Sequence, residues 1–372
     1  MAGSILACGA WLKNAACRLD ATDAAWSPLH GDLGDPQACR ALDDSVQALA
    51  RAAPGGIVAL AHDLHPDFFS TRLAQRLAAQ WGVPAIGVQH HHAHVGVVMA
   101  DHALQEPVIG LALDGVGLGT DGSAWGGELL QVAPGSWRRL GALEPLRLPG
   151  GDVAAREPWR MAAAVLHGAG RGSEIEARFA AAVGTPAARL VAQMLARGVH
   201  CPETTSTGRW FDAAAALLGL SVRQGHEDEA AIALEKAAAA RLARGPFTRA
   251  LADIDPTDPS RLELGRLALA LVADDAGDVE EAAAWFHLSL ARALADWAAL
   301  AARAAGVRVV ALSGGCFFNR VLAAEVSARI ARHGLRPLAP RTTSCGDAGL
   351  ALGQAWVARQ GAPSPAGFNH GL

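Results

Sequence analysis

The chain has 372 residues, of which 51% are apolar and 18% charged, so it has enough apolar side chains for a large core and about two domains. Its 32 basic and 36 acidic residues give a net charge of −4 without a basic stripe, which argues against a dedicated nucleic-acid binder. The six cysteines are scattered and form no C-x-x-C pair, so a zinc ribbon is not expected. The sequence shows no secretory signal, and no apolar segment is long enough to span a membrane. We therefore expect a soluble cytoplasmic protein that binds neither nucleic acid nor membranes.

The first third of the chain alternates short apolar runs with helical periods. The sequence predicts strands at 4–9, 15–19, 57–61 and 83–88, a helix at 68–81, and a second helix starting in VQHHHAH. A further strand at 108–113 ends in DGVGLGTDG and pairs with 126–132 as a hairpin. This alternation is typical of an α/β protein.

The rest of the chain is predicted to be mainly loops and helices. Residues 174–300 are helical in pattern, and 280–305 is the longest helix. A strand at 307–312 precedes helices at 320–332 and 350–359. Helix and strand signals both fade between 130 and 150, so we place a boundary between a first lobe (1–135) and a second lobe (136–372). The second lobe carries a helical insertion, and the final helix is expected to pack back on the first lobe.

The histidine segment predicts a metal site. His90 and His94 lie four residues apart, so on a helix they share one face, whereas His91 and His92 point elsewhere. Such a pair is the geometry of helical zinc sites, and a carboxylate from elsewhere is expected as the third ligand. The alternative is that these histidines serve only packing or the surface. Three protein ligands would leave a position open for substrate, where the ion acts as a Lewis acid.

Glycine turns that follow strands predict an anion or nucleotide site. Asp114 ends one strand, and the glycines after it let backbone N–H groups approach an anion closely. In SGGCFFN, Gly314 and Gly315 would let adenine lie flat on the backbone, and Asn319 would donate to phosphate or ribose. Taken alone, the first of these turns is equally compatible with an ordinary glycine-rich hairpin.

Carboxylates near helix starts have two interpretations each. Asp347, in TTSCGDAG, either caps the last helix or is the third metal ligand. Asp212, placed behind Gly208 at the start of a helix, either interacts with the helix dipole or accepts from a ribose hydroxyl. Glu227 is a second candidate for the ribose.

Eight segments in order resemble the transferase portion of the HypF-type carbamoyltransferases of nickel–iron hydrogenase maturation. They are GAWLKN, HDLHPDFFSTRLA, VQHHHAH, LDGVGLGTDGSAWGGE, LPGGDVAAREPWRMA, CPETTSTGRWFDAAAALLGL, LSGGCFFNRVL and CGDAGLALGQ. The resemblance implies the two-lobed actin-like ATPase (ASKHA) fold with extra helices in the second lobe. It also implies that the family's acylphosphatase-like, zinc-finger and carbamoyl-adenylate-forming domains are missing from this chain.

The resemblance also implies roles for individual residues. The metal ligands are His90, His94 and Asp347, for a divalent iron or zinc ion, with Mg²⁺ as a further candidate cofactor. These three residues and Lys13, which meets the phosphate side of the substrate, form the catalytic set. The residues implied to bind ATP or carbamoyl-adenylate are Asp114, Gly115, Gly117, Gly208, Asp212, Glu227, Gly314, Gly315 and Asn319.

The implied activity is transfer of a carbamoyl group from carbamoyl-adenylate, made from carbamoyl phosphate and ATP, to the C-terminal cysteine of the partner HypE. The thiocarbamate formed then supplies the cyanide ligands of the hydrogenase. Because the adenylate-forming domain is expected to be missing, a second protein is expected to supply carbamoyl-adenylate. The alternatives are a small-molecule O-carbamoyltransferase, the related tRNA threonylcarbamoyl transferase, and a non-catalytic adaptor that assists a full-length homologue.

The sequence departs from the family pattern around Glu227. The family's Tyr-Glu-Gly-Gln reads His-Glu-Asp-Glu here, which places Asp228 and Glu229 beside a site for an anionic nucleotide. Leu118 also stands where the family's glycine turn carries an aromatic residue.

Overall fold

Two β-sheets flanked by helices form the protein, which confirms the predicted α/β class. The computed structural model describes residues 3–361 apart from 22, 255, 257 and 274–276. The first sheet has the order β3-β2-β1-β4-β5. Its strands are β1 (Ser4–Ala7), β2 (Cys17–Leu19), β3 (Ala24–Trp26), β4 (Ile57–Asp63) and β5 (Ala85–Val88), and its helices are α1 (Pro36–Arg51), α2 (Phe69–Trp81) and α3 (His90–Asp101).

The second sheet is larger, and its main path runs β11-β8-β7-β6-β12-β13, with β9 and β10 attached beside β7. Its strands are β6 (Val108–Leu118), β7 (Ala124–Ala133), β8 (Ser136–Leu143), β9 (Leu146–Arg147), β10 (Glu203–Thr204), β11 (Arg261–Leu262), β12 (Val309–Ser313) and β13 (Arg336–Leu338). Its helices are α4 (Asp152–Arg156), α5 (Pro158–Gly168), α6 (Glu174–Val183), α7 (Thr185–Arg197), α8 (Thr207–Leu217), α9 (Glu229–Ala243), α10 (Gly265–Leu269), α11 (Val279–Ala305), α12 (Arg320–Arg332) and α13 (Leu350–Arg359).

The two sheets repeat one topology. In the first, the antiparallel meander β1-β2-β3 is followed by β4 and β5, which run parallel to β1. In the second, the meander β6-β7-β8 is followed by β12 and β13, which run parallel to β6. This repeated layout, with helices α4 to α11 inserted before β12, confirms the predicted two-lobed actin-like ATPase fold with extra helices in the second lobe.

Helices α3 and α13 pack against each other and connect the two sheets. One apolar cluster contains residues of both helices together with Ile5 and Ala59 of the first sheet and Leu130 and Val309 of the second. The helix backbones touch, because a Cβ atom added at Gly353 would lie 1.9 Å from the carbonyl oxygen of Ala93. The histidine-bearing helix is therefore held between the sheets by the last helix of the described chain.

The structure corrects the prediction in the region after residue 132. Loops and helices were expected there, but β8 pairs with β7 over most of its length. A register shift between Leu129 and Leu130 breaks the alternation that would mark the strands in the sequence. The lobe boundary at residue 135 stays a prediction; the strands of the first sheet end at β5 and those of the second begin at β6.

The region 174–300 is less uniformly helical than predicted, since it also contains β10, β11 and a long irregular stretch after α9. The longest helix, however, is α11, which spans 27 residues in agreement with the prediction. Among the described residues, no helix has the length and apolar character that crossing a membrane requires. All six cysteines are free thiols.

Candidate metal and nucleotide site

Four side chains from three separate parts of the chain converge at the start of α3. They are His90, His94, Asp114 and Asp347, and one ligand atom of each lies within 4.8 Å of the others. The Nε2 atom of His90 is 3.2 Å from Asp114 Oδ2 and 3.5 Å from Asp347 Oδ1. The Nε2 atom of His94 is 3.5 Å from each of the same two oxygens. We call these four residues the ligand cluster.

The ligand cluster fits a divalent metal ion. His94 is fully buried, yet neither of its ring nitrogens has a hydrogen-bond partner among the described residues. Buried nitrogens without partners are costly, and a cation beside Nε2 would supply the missing interaction for one of them. Two imidazole nitrogens and two carboxylate oxygens suit iron or zinc. Asp114, which the sequence assigned to the nucleotide, thus joins the three predicted ligands.

The electrostatics of the ligand cluster show how strongly its members interact. Burial lowers the pKa of His90, but hydrogen bonds with Asp114, Asp347 and Asp63 outweigh it and hold this pKa well above its ordinary value. The pKa of His94 is likewise raised by the two carboxylates against the effect of burial. Burial raises the pKa of Asp114, but the two histidines bring it well below its ordinary value. Protons and a cation therefore compete for the same four groups.

Asp63 orients His90 and was missed by the sequence analysis. Its Oδ2 atom lies 2.7 Å from His90 Nδ1, and the side chain is only 1% exposed. A carboxylate accepts, so Nδ1–H donates and the other ring nitrogen, Nε2, faces the ligand cluster, where a metal ion would replace its proton. The sequence did contain an indication of this role, since Asp63 lies in the segment HDLHPDFFSTRLA at the end of an apolar strand, β4. Since β4 pairs in parallel with β5, Asp63 lies opposite Val88, two residues before His90.

The other two histidines of the segment lie outside the ligand cluster. The His91 ring contacts Gln89 and Trp125, and the His92 ring stacks on Trp137 at a centroid distance of 5.0 Å. Gly117 makes room for the rings, since an added Cβ atom there would lie 2.7 Å from His90 Cδ2 and 2.8 Å from His91 Cε1.

A cavity of about 760 Å³ opens beside the ligand cluster, and Asp114 and Asp347 belong to its wall. The cavity gathers most of the predicted nucleotide and catalytic residues from both lobes. Those on its wall are Lys13, Asp114, Gly115, Gly208, Asp212, Glu227, Gly315, Asn319 and Asp347. The size and the position of the cavity suit a nucleotide whose reactive end reaches the ligand cluster.

Two predicted nucleotide residues, Gly117 and Gly314, are not among the lining residues of this cavity. At Gly314 the backbone has φ +105°, and an added Cβ atom would lie 2.2 Å from the carbonyl oxygen of Leu113. The glycine thus lets the end of β12 approach β6. Direct contact of these two glycines with a nucleotide stays a prediction.

Asp212 lies deeper in its helix than predicted. Helix α8 begins at Thr207 and is capped by Ser206, so Asp212 is in the second turn rather than at the start. It is 1% exposed, pairs with Arg209 Nε at 3.1 Å and faces Gln224 Nε2 at 3.3 Å. Burial is the main cause that raises the pKa of Asp212 to about 6, against the opposing effect of Arg209.

Lys13 and Glu227 contact each other across the cavity. Lys13 Nζ lies 3.2 Å from Glu227 Oε2 and 3.8 Å from Asp228 Oδ2. Both partners are about half exposed, so the pair adds little stability. The family resemblance implies that Lys13 meets phosphate, and Glu227 is a candidate for the ribose; each of these roles stays a prediction.

The thiol on the cavity wall is not suited to act as a nucleophile. Cys316 lines the cavity, where burial and then the negative charge of Asp114 raise its pKa well above the ordinary value. A thiol with a raised pKa remains protonated and is a poor nucleophile.

Comparisons with known proteins agree on one family. The model described as "HypF Kae1-like domain" matches residues 1–101, and the one described as "Carbamoyltransferase, Kae1-like Domain, second subdomain" matches residues 110–354. The chain is 59% identical over 95% of its length to a "Carbamoyltransferase HypF homolog" of Cupriavidus necator, of which it covers 91%. It is 47% identical to "Carbamoyltransferase HypF2" of the same organism over 97% of its length, and covers 47% of that protein.

Solved structures give the same result. The structure of HypF from T. kodakarensis superposes with a TM-score of 0.88 at 30% identity, covering 96% of this chain and 47% of that one. A full-length HypF "in the phosphate- and nucleotide-bound form" superposes with a TM-score of 0.84 at 29% identity, covering 96% of this chain and 46% of that one. The chain thus spans about half the length of most of these relatives and nearly the whole of one.

Proposed function

The chain belongs to the HypF carbamoyltransferase family, and we propose that it transfers a carbamoyl group from carbamoyl-adenylate to the C-terminal cysteine thiolate of HypE. The observation that carries this proposal is the position of the ligand cluster at the wall of a cavity built from the predicted nucleotide residues. A nucleotide bound there would have its reactive end beside the cluster. The product would be the thiocarbamate from which the cyanide ligands of the hydrogenase are made.

The residues around the cavity have separate tasks in this reaction. His90, His94, Asp114 and Asp347 would hold the metal ion, and Asp63 would keep Nε2 of His90 free to bind it. When bound, a divalent ion supplies Lewis acidity to an adjacent carbonyl or phosphate oxygen. Gly115, Gly208 and Gly315 lie on the cavity wall and would present only backbone atoms to the nucleotide.

The transfer itself forms one bond and breaks another. The acceptor thiolate attacks the carbamoyl carbon of the mixed anhydride and forms a C–S bond. The bond between that carbon and the phosphate oxygen breaks, and AMP leaves with the electron pair. The raised pKa of Cys316 supports an acceptor that enters from outside, since this thiol of the cavity stays protonated.

Mass spectrometry of HypE tests this function. We expect purified chain loaded with Zn²⁺ or Fe²⁺ to add one carbamoyl group to the C-terminal cysteine of HypE when given carbamoyl-adenylate, with release of AMP. HypE whose C-terminal cysteine is replaced by alanine, and chain carrying His94→Ala, are the controls and should give no adduct. An unmodified HypE cysteine with the metal-loaded wild-type chain would contradict the proposal and favour the adaptor alternative.

The supply of carbamoyl-adenylate by a second protein, the cytoplasmic location and a role for Mg²⁺ stay predictions. Incubation with carbamoyl phosphate and ATP in place of carbamoyl-adenylate tests the first of these. Carbamoylation of HypE from those two substrates by the chain alone would show that it also performs the activation step.

A further inference from the structure

Asn319 on the cavity wall has a buried neighbour that the proposed reaction does not use. His287 lies on α11, is fully buried and is far in sequence from the ligand cluster. Its Nε2 atom is 2.9 Å from Asn319 Nδ2, and its Nδ1 atom is 2.8 Å from the carbonyl oxygen of Ala283.

The hydrogen-bond partners of His287 fix its tautomer. A backbone carbonyl only accepts, so Nδ1 carries the proton and donates it to Ala283. The neutral ring then has a lone pair on Nε2, which accepts an N–H of the Asn319 amide. Burial lowers the pKa of His287 to about 4, so the ring is neutral at physiological pH.

These contacts also fix the Asn319 amide. Asn319 is the N-cap residue of α12, and its Oδ1 atom accepts the backbone N–H of Leu322 at 2.9 Å. With Oδ1 on the helix and one N–H on His287, the amide cannot flip without losing both bonds. Nδ2 has a second hydrogen, which has no other acceptor among the described residues, and Asn319 is part of the cavity wall.

A residue of helix α8 also holds the His287 ring in place. Its ring meets the ring of Phe211 edge to face at a centroid distance of 5.4 Å, and Phe211 precedes Asp212 on α8. One buried imidazole therefore contacts α8 and the start of α12, two elements that contribute cavity residues.

We propose that His287 is a positioning residue for the nucleotide site: it holds the amide of Asn319 so that the second N–H of Nδ2 donates to the bound nucleotide. This inference rests on the proposed function, because it requires a nucleotide in the cavity. Asn319 was predicted to contact the nucleotide, but His287 was not predicted, since in the sequence it is one polar residue within a mostly apolar helix.

A double-mutant cycle with ADP as the probe tests the proposal. His287→Phe fills a similar space without an acceptor, and His287→Gln places an oxygen where Nε2 stands. We expect His287→Phe to weaken ADP binding about tenfold, in line with the loss of one oriented hydrogen bond, and His287→Gln to restore most of it. Because His287 acts through Asn319, the variant His287→Phe/Asn319→Ala should bind ADP no more weakly than Asn319→Ala.

The outcomes separate this inference from the proposed function. Calorimetry that finds no ADP binding by the wild-type chain would overturn the nucleotide site itself and this inference with it. ADP binding that is unchanged in His287→Phe, or losses that add in the double variant, would overturn only the role of His287. Bound zinc should be the same in all four variants, since none of them changes the ligand cluster; loss of zinc in His287→Phe would point to general disruption and contradict the positioning role.

If His287→Phe does not fold, nitrogen NMR of the wild-type chain tests the same proposal. We expect the imidazole of His287 to carry its proton on Nδ1 and none on Nε2. The Nε2 resonance should move in Asn319→Ser, which keeps a helix cap but removes the amide donor. A proton on Nε2 in the wild-type chain would overturn the proposal, because two N–H groups would then face each other.

Discussion

At the scale of single residues, the ligand cluster depends on Asp63 as well as on its own four members. The bond from His90 Nδ1 to Asp63 selects the ring tautomer in which Nε2 is free to bind a metal ion. Carboxylates in this position usually change metal affinity by a factor of ten to a hundred. The role is that of an orienting contact, since Asp63 itself lies on the far side of the imidazole.

We predict that Asp63→Asn weakens zinc binding by about ten- to a hundredfold, because an amide orients the ring less firmly than a carboxylate and stabilises it less when metal is bound. Competition with a chelator of known affinity measures the change. Asp67→Asn, which alters an exposed carboxylate paired with Arg72 nearby, is the matched control and should keep wild-type affinity. Equal affinities of wild type and Asp63→Asn would show that the contact has no orienting role.

Asp212 gives the protein a predictable pH dependence. Its pKa is about 6 in the folded chain, above the ordinary value, so the folded state holds this proton more firmly than the unfolded state. The stabilisation is complete below the unfolded pKa of about 4 and is lost as pH rises through about 6. Two pKa units correspond to on the order of 2 kcal/mol after allowance for relaxation.

We predict that Asp212→Asn removes this loss of stability at higher pH, because an amide does not ionise. The free energy of unfolding of the variant relative to wild type should rise by on the order of 2 kcal/mol between pH 4.5 and pH 7.5, measured by urea unfolding at both values. Asp253→Asn, the same substitution at a side chain that is 87% exposed, is the control. A constant difference for Asp212→Asn would mean that the folded pKa is not raised.

The sequence predicts the site residues that share one helix, but not those that are brought together by strand pairing. His90 and His94 could be placed together because a helix fixes the geometry of residues four apart. Asp347 had two interpretations, as a helix cap or as a ligand, and the resemblance to the family favoured the ligand. Asp63 lies at the end of β4, whereas Asp114 lies within β6, at the register shift between Leu113 and Gly117, and not at a strand end as predicted. The roles of both depend on which strands lie side by side, which is decided by the pairing of β4 with β5 and of β6 with β12. A single sequence does not specify this pairing.

At the scale of elements, the site depends on the contact between α3 and α13. The two helices touch through Gly353 and Ala93, and Ala93 directly precedes His94. A methyl group at Gly353 would meet the carbonyl of Ala93 and the amide nitrogen of Val97, both of which are backbone atoms that cannot rotate away. The helices would have to separate, and the ligand cluster would move with α3.

We predict that Gly353→Ala destabilises the protein by about 2–4 kcal/mol and weakens metal binding, although alanine is the better helix former. Urea unfolding and the chelator competition measure the two effects. Gly168→Ala, at the end of α5 with no atom near its Cβ position, is the control and should be neutral or slightly stabilising. A Gly353→Ala chain with unchanged stability would show that α3 and α13 do not pack this closely.

Elements with strong local signals were predicted best. The bounds of α12 and α13 agree with the predicted ranges 320–332 and 350–359. In α12 the buried residues Leu322, Val326 and Ile330 recur every four positions, which is the helical apolar period. Strand β8 was missed because its burial does not alternate regularly and its partner carries a register shift. Helix α1 was passed over although Asp35 caps it and Pro36 opens it, which are signals that the sequence did contain.

At the scale of the whole molecule, the site is built from both lobes. The first sheet contributes Asp63 and, through the turn after β1, Lys13. Strand β6 of the second sheet contributes Asp114, and the short turn before α13 contributes Asp347. The apolar cluster around α3 and α13 contains side chains from both sheets, so the lobes are not independent at this point.

The central claim is that His90, His94, Asp114 and Asp347 bind one divalent metal ion beside the nucleotide cavity. Elemental analysis after equilibrium dialysis against Zn²⁺ tests it most directly. We predict one zinc ion per chain in the wild type and in His92→Phe, which preserves the stacking on Trp137, and none in His94→Ala. A His94→Ala chain that folds and retains one ion per chain, or a wild-type chain that binds none, would contradict the account.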